Sequence, residues 1–189
     1  MDPLAGALTH NRAMDFRLRI LALLLGARIC LSYQGASAQA GIIQERSATS
    51  ELSVSGDIPS KFVFQTKDLD AMPQVSALVI QENGSKSKFT GVLLRSLLEK
   101  AGAPIGRALR GKAMASYVLA KARDGYEVMF TLPELDPSFG NERVLVVYKQ
   151  DGKPLFGYEG PFKILCPDDK AGARSIRMLT SLEIVRLRK

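Results

Sequence analysis

The chain contains one stretch with clear helical periodicity, and short runs of β-forming residues surround it. In residues 92–101 the apolar positions recur three and four apart, which is the spacing of one helix face. Thr90 is a candidate N-cap for this helix, and Gly102 stands where a left-handed C-terminal residue is expected. The apolar stripe consists of Leu93, Leu94, Leu97, Leu98 and Ala101. One main helix among many strands predicts an α+β fold with a single domain.

Alternating or continuous apolar runs predict the strands, and glycine-containing turn signals separate them. The clearest turn signals are Asn83-Gly84, Asp124-Gly125 and Asp151-Gly152. Strands are predicted at residues 51–56, 61–64, 75–81, 117–123, 126–131, 143–148, 162–166, 175–179 and 182–187, and short helical turns at 66–72 and 132–135. The run at 143–148 is apolar almost throughout, which predicts an inner strand buried on both faces.

The N-terminus has the features of an export signal. Arg17 and Arg19 form a basic region, residues 20–27 form a short apolar run, and residues 36–38 read Ala-Ser-Ala, a typical cleavage signature. The apolar run is shorter than the roughly 20 residues that a membrane-spanning helix needs. Cleavage is therefore favoured over an uncleaved anchor or a disordered extension.

Three parts are expected along the chain as a result. Residues 1–38 would be a signal peptide, residues 39–50 a linker, and residues 51–189 the folded domain. After cleavage no membrane span would remain, and the domain would lie in the periplasm.

The residue inventory excludes most catalytic templates. His10, the only histidine, and Cys30 both lie in the expected leader, which leaves Cys166 as the one thiol of the mature chain. Ser-His-Asp and Cys-His catalysis and histidine metal sites are therefore excluded, and no catalytic or metal-ligating residue is predicted. Cys166 is expected to be a buried core thiol. The net charge of +7 favours anionic partners. Nucleic-acid binding is not predicted, because the sequence has no basic motif interleaved with aromatic residues.

Basic residues recur in the segment at residues 159–179, which reads EGPFKILCPDDKAGARSIRML. Lys163, Arg174 and Arg177 lie there, and Arg123 precedes the Asp124-Gly125 turn. An anionic ligand needs several such donors to converge. The spacing favours a pocket for an anion, and scattered solvated charge is the alternative explanation.

This segment resembles the closing part of the sulfite-oxidase-type molybdopterin-binding domain. In that family a Gly-Pro-x-basic segment and a Gly-Ala-Arg-x-x-basic segment line the pocket for the anionic pyranopterin. Further similar motifs occur in the family's order: the opening at residues 52–59, Asp68-Leu69, Met72-Pro73, residues 89–102, Asp124-Gly125-Tyr126 and residues 144–155. The resemblance implies a strand-rich molybdopterin-binding fold, with molybdopterin as a candidate cofactor.

One departure from the family concerns the metal ligand. Catalytic members carry Gln-Cys-x-Gly before the main helix, and that cysteine binds molybdenum. Here residues 81–84 are Gln-Glu-Asn-Gly, so Glu82 stands at the position of the thiolate. A carboxylate is a harder ligand and does not reproduce a thiolate's electronic contribution.

The pocket residues also differ from the family pattern. Tyr158 or Glu159 lies where the family has a histidine, Lys163 replaces an arginine, and Arg177 replaces a lysine, whereas Arg174 matches directly. The cofactor-binding residues that the resemblance implies are Glu82, Asn83, Arg123, Lys163, Arg174 and Arg177.

Two functions of different classes follow. The first is a binding module for a pterin-like or other anionic ligand, or for a partner protein, without cysteine-ligated molybdenum. The alternative is a molybdopterin-dependent oxidoreductase that transfers oxygen and uses Glu82 or Cys166 as an atypical ligand. A structural or assembly factor without a ligand is the third option.

Overall fold

The computed structural model describes residues 50–81 and 83–187. The expected signal peptide, residues 39–49 of the expected linker, and Glu82 lie outside the described residues. The strands are β1 (Glu51–Gly56), β2 (Phe62–Gln65), β3 (Val75–Ile80), β4 (Lys86–Leu93), β5 (Ser116–Ala122), β6 (Glu127–Thr131), β7 (Leu145–Gln150), β8 (Lys153–Pro154), β9 (Lys163–Leu165) and β10 (Leu179–Arg186). The helices are α1 (Thr66–Asp70), α2 (Leu94–Lys100) and α3 (Leu132–Leu135), with 3-10 turns at Gly106–Ala108, Gly111–Ala115 and Gly172–Arg174.

The first sheet joins the two ends of the described chain. Its strand order is β2-β1-β10-β5-β6. β1 and β10 run parallel and the other pairs are antiparallel. Because β10 is the last strand and lies between β1 and β5, the segment at residues 159–178 leads directly into the centre of this sheet.

The second sheet is built around β7. β4 pairs with one edge of β7, and β3 pairs with the far side of β4. On the other edge of β7, β9 pairs with its first half and β8 with its last two residues. The register shifts between Thr90 and Gly91, where Tyr148 is the extra residue of a β-bulge.

Apolar residues cover both faces of the second sheet. Val92, Val146 and Ile164 face the main core, which they share with the first sheet and with α2 and α3. The opposite face, called the outer face below, carries a smaller cluster formed by Ala77, Phe89, Leu145, Val147, Leu155 and Leu165. The first four residues of β7 are buried, as the apolar run at 143–148 predicted.

The main helix is shorter than the sequence predicted. α2 begins at Leu94, because Val92 and Leu93 belong to β4 and pair with β7. Thr90 is therefore not the N-cap; it lies in β4, and its hydroxyl lies 3.0 Å from that of Ser76 on β3. The C-terminal prediction is confirmed, since Gly102 has a φ of +89° after the last helical turn.

Two strand predictions are also wrong. The first half of β4 was missed, although lysines at 86 and 88 alternate with Ser87 and Phe89, the pattern of a half-buried strand. The strands predicted at 175–179 and 182–187 are one strand, β10, which begins only at Leu179. Residues 175–178 make the turn that brings Arg177 to the surface.

The α+β, strand-rich fold with one main helix and a single domain is confirmed. Among the residues that the structure describes, no helix combines the length and the apolar character needed to cross a membrane.

Gly91 is the site of a test of the second sheet. A Cβ at this position would overlap the carbonyl oxygen of Val146 and lie 2.5 Å from the Cα of Val147. Gly91→Ala should therefore lower the free energy of unfolding by about 1–3 kcal/mol, the range for overpacked cores. Urea unfolding measures this.

Gly172→Ala is the matched control, because a Cβ there meets nothing within 4 Å. It should change stability by no more than about 0.5 kcal/mol. Equal stability of the two variants would contradict the close packing of β4 on β7.

Candidate functional site

A loop at residues 155–159 borders three neighbouring pockets. Its first residue, Leu155, belongs to the cluster on the outer face of the second sheet. The largest of these three pockets, of about 500 Å³, is lined by this loop and by the β7–β8 turn. Pockets of about 190 Å³ and 280 Å³ adjoin it; Arg123 lines the first and Arg177 lines the second. The loop therefore connects two of the expected basic residues to one concave region.

Two of the expected cations meet at a single carboxylate in this loop. The Nζ atom of Lys163 lies 2.6 Å from Oε2 of Glu159, and Nε of Arg177 lies 3.0 Å from Oε1 of the same side chain. Each carboxylate oxygen thus faces one cation. The structure therefore brings together two of the three basic residues of the 159–179 segment whose spacing favoured an anion pocket.

Lys163 is held in place by β9. It pairs with Val147 of β7, so its side chain points to the outer face of the sheet. There its ammonium group lies 5.0 Å from the centre of the Phe89 ring, and only 12% of the side chain is exposed. An ammonium group over an aromatic face is stabilised by the ring quadrupole. The cation is therefore fixed by packing as well as by Glu159.

Arg177 is more accessible. Its guanidinium carbon lies 4.9 Å from the centre of the Tyr158 ring, and 48% of the side chain is exposed. The adjacent 3-10 turn is held by the Tyr126 hydroxyl, which donates a hydrogen bond to the carbonyl of Ala173 at 2.8 Å. Arg177 therefore stands at the rim of the site, with Lys163 deeper inside.

Arg123 supports the same region through the backbone. Its Nη2 donates to the carbonyl oxygen of Gly160 at 3.2 Å, directly after Glu159. Its backbone N–H donates to the carbonyl of Met178 at 3.0 Å, directly after Arg177. Arg123 therefore ties together the two chain segments that carry the paired cations and the bridging carboxylate.

Arg174 lies in a different pocket, of about 230 Å³, which shares no lining residue with the other three. It donates from Nε and Nη2 to both oxygens of Asp169, at 2.8 and 2.7 Å. Glu142 and Glu134 accept further contacts at 2.9 and 3.4 Å. Hydrogen bonds to Asp169 and then to Glu142 raise the pKa of Arg174, and Arg174 in turn lowers the pKa of Asp169. Arg174 is thus neutralised within the fold.

The adjacent acids Asp168 and Asp169 lie in the turn after β9, and each forms an ion pair with an arginine. Asp169 forms the bidentate pair with Arg174, and Asp168 forms another with Arg143, at 2.9 and 3.2 Å. The Asp168–Arg143 pair joins the turn after β9 to the segment that enters β7, and the Asp169–Arg174 pair joins it to the 3-10 turn at Gly172–Arg174. They have a structural role, and no acid–base pair is needed to explain them.

Cys166 is the buried core thiol that the sequence predicted. It is 7% exposed, and burial, with Asp169 adding repulsion, raises its pKa to about 12. A thiol with such a pKa is protonated at neutral pH and is therefore a poor nucleophile. Within residues 50–81 and 83–187, no group of three or more His, Cys, Asp or Glu side chains is placed to hold a metal ion.

Asn83 closes the β3–β4 hairpin. Its Oδ1 accepts hydrogen bonds from the backbone N–H of Ser85 at 2.9 Å and from the Ser85 hydroxyl at 2.7 Å. Local turn formation therefore accounts for Asn83. Glu82 lies outside the described residues.

The chain is similar to known proteins in family and in fold. The model of the oxidoreductase molybdopterin binding domain matches residues 39–189, and the chain therefore belongs to that family. The crystal structure of the sulfane dehydrogenase SoxCD from Paracoccus pantotrophus has the same fold, with a TM-score of 0.54 and 17% sequence identity. That match covers 71% of this chain and 37% of the SoxCD chain, so this chain spans little more than a third of the other. No curated protein matches the sequence at a significant level.

The family implies a molybdopterin, whose two parts make different demands on the site. Its anionic part fits the cations that meet at Glu159, since Lys163 and Arg177 supply charged donors beside a pocket. Its metal fits less well, because Cys166, the one cysteine in the described part of the chain, lies in the Arg174 pocket, apart from the cations at Glu159. The described residues therefore suit an anion and offer no thiolate for molybdenum.

Sequence reasoning missed the roles of Glu159 and Phe156. Glu159 was noted only at the position of a family histidine, yet it bridges both cations. The spacing of four residues from Lys163 gave no signal, because it pairs side chains on a helix and residues 159–163 are not helical. Phe156, which is 84% exposed in the shared loop, had no sequence signal, because single exposed apolar residues are common.

Arg174 gives a test of its structural role. Arg174→Met leaves Asp169, Glu142 and Glu134 without their cation, so it should destabilise the fold. The expected loss is about 1–3 kcal/mol, between the values for exposed and buried ion pairs. Arg177→Met, which removes a more exposed partner, should lose about 1 kcal/mol or less. Thermal unfolding at pH 7 separates the two variants.

The loss of unfolding free energy caused by Arg174→Met should depend on pH. Asp169 has a lowered pKa in the folded state, so its pairing stabilises the protein above its unfolded pKa of about 3.9. That contribution is lost as the pH falls through the lowered folded-state pKa. The difference in unfolding free energy between the native protein and the variant should therefore become smaller below about pH 4. A constant gap down to pH 2 would contradict this role.

Proposed function

We propose that this domain is an exported binding module for a pterin-like or other anionic ligand, without cysteine-ligated molybdenum. The observation that carries the proposal is the convergence of Lys163 and Arg177 on one carboxylate beside a pocket of about 500 Å³. Membership of the molybdopterin-binding family supports a pterin-like ligand.

The charges favour an anion over a neutral ligand. Two cations share Glu159, which leaves one net positive charge where the pockets meet. Arg123 and Lys153 add cations at the pocket walls and Asp124 and Asp151 add acids, so the region keeps a net positive charge. An oxyanion that approaches this region is attracted by the positive charge. Arg177 offers it hydrogen-bond donors at the rim of the site, and Lys163 offers one deeper inside.

The sequence and the described side chains together disfavour a thiolate-ligated metal. Position 82 is a glutamate, and the Cys166 thiol has a pKa of about 12. A hard carboxylate is a poor substitute for a soft thiolate at molybdenum. The proposed ligand is therefore held by charge and shape.

A partner protein is a second occupant of the same surface. Phe156 is 84% exposed and Tyr158 is 62% exposed; both line the pocket of about 500 Å³, and Tyr158 also contacts the accessible Arg177. Aromatic and arginine side chains are enriched at protein interfaces. Such a partner would cover the loop at 155–159.

The alternative function is a molybdopterin-dependent oxidoreductase with an atypical ligand, and the family assignment favours it. On this alternative the purified protein carries about one molybdenum per chain.

Metal and pterin analysis tests the proposal. Protein purified from the periplasm of a molybdenum-replete host should retain a fluorescent pterin but far less than one molybdenum per chain. Glu82→Cys supplies the missing thiol and should raise the molybdenum content. Asn83→Cys, which places the thiol one residue away, is the matched control and should not.

Each outcome decides between the functions. Near-stoichiometric molybdenum in the native protein would establish the oxidoreductase alternative. Absence of pterin from the native protein and from Glu82→Cys would contradict a pterin ligand.

Export is tested separately by mass. If residues 1–38 are removed, the intact mass of the periplasmic protein should correspond to a chain that starts at Gln39. A periplasmic or cytoplasmic protein that retains residues 1–38 would contradict the signal peptide.

A further inference from the structure

We propose that Glu159 is a built-in anion that occupies the Lys163–Arg177 site until an oxyanion ligand displaces it. This inference rests on the proposed anion-binding function. It adds that the ligand is an oxyanion and that Glu159 pairs with the two cations when no ligand is bound. In this account the carboxylate competes directly with the ligand, and binding exchanges one anion for another.

The geometry supports an exchange of like for like. Glu159 presents its two oxygens separately, Oε2 to the Lys163 ammonium at 2.6 Å and Oε1 to Nε of Arg177 at 3.0 Å. A phosphate-type oxyanion also presents two oxygens from one central atom. It can therefore contact both cations in the place that the carboxylate vacates.

The carboxylate is placed so that it can leave. Glu159 lies in the loop that borders the pockets, and 34% of its side chain is exposed. Arg177 is 48% exposed, so this pair is well hydrated and contributes little to the stability of the fold. The contact of Lys163 with the Phe89 ring, at 5.0 Å, does not involve Glu159.

Arg174 illustrates the opposite arrangement. Its guanidinium is held by both oxygens of Asp169 and by two further carboxylates. An incoming anion would have to replace several acceptors at once. Among these cations of the 159–179 segment, the two that share Glu159 are therefore the ones that a single ligand can take over.

Phosphate titration tests the inference. Inorganic phosphate, the probe, is titrated into the full-length protein by calorimetry at low ionic strength. The native protein should bind it weakly, because Glu159 competes. Glu159→Gln keeps the size of the side chain but removes its charge, and should bind phosphate at least tenfold more tightly, which is about 1.4 kcal/mol. Glu159→Ala should show the same direction of change.

Glu183→Gln is the matched control. Glu183 is also partly exposed, 42%, and contacts a lysine, Lys121, at 3.1 Å, but on the first sheet. This variant changes the net charge equally and should leave phosphate affinity within twofold of the native value. Adding Lys163→Gln or Arg177→Gln to Glu159→Gln should abolish the gain.

The outcomes separate this inference from the proposed function. Phosphate binding by the native protein without a gain in the Glu159 variants would overturn the built-in anion and leave the anion-binding function standing. Binding by neither protein would overturn both. A gain that survives loss of Lys163 and Arg177 would place the phosphate elsewhere and overturn the inference.

Discussion

Strand β7 is the element on which the rest of the structure depends. Its residues alternate between the main core, through Val146, and the cluster on the outer face, through Leu145 and Val147. It also provides the edge on which β9 forms, and β9 sets the direction of Lys163. The position of the candidate site is therefore a consequence of the packing of one buried strand, and the loop at 155–159 is placed between β8 and β9 by the same pairing.

Lys163, Arg174 and Arg177, three of the four basic residues of the 159–179 segment, divide into two groups with different surroundings. Arg174 is surrounded by carboxylates that join the 3-10 turn to the region before β7. Lys163 and Arg177 share a single carboxylate beside open pockets. The side chains carry the same charge, but Arg174 holds two chain segments together, whereas Lys163 and Arg177 share a carboxylate that a ligand can replace. The two roles differ in the number and exposure of the carboxylates that accept from the cations. The cations alone would not distinguish them.

The sequence predicted the fold where local patterns and tertiary packing agree. The continuous apolar run of β7, the Asp124-Gly125 hairpin and the left-handed Gly102 were all correct. It failed at Thr90, because a good capping residue was taken up by pairing in β4. Strand pairing across the sheet outweighed the local preference, and no pattern within the helix could have shown that.

For the site, the sequence identified the cations but not their partners. The sequence grouped Lys163 and Arg177 with Arg174 in one anion pocket. Lys163 and Arg177 meet at Glu159, whereas the separation of Arg174 depends on Glu134 and Glu142, which are distant in sequence. Cys166 was recognised as buried from its position at a strand end. The sharing of Glu159 between residues on both sides of the 3-10 turn arises only when the turn closes, so it required the structure.

The most direct test of the account is the position of an oxyanion in a crystal. Selenate is a phosphate-sized oxyanion whose selenium is located by anomalous scattering. In crystals grown with selenate, the account predicts a peak between the Nζ of Lys163 and the guanidinium of Arg177, with the Glu159 carboxylate turned away. A peak at Arg174, or no peak while Glu159 keeps both cations, would contradict it.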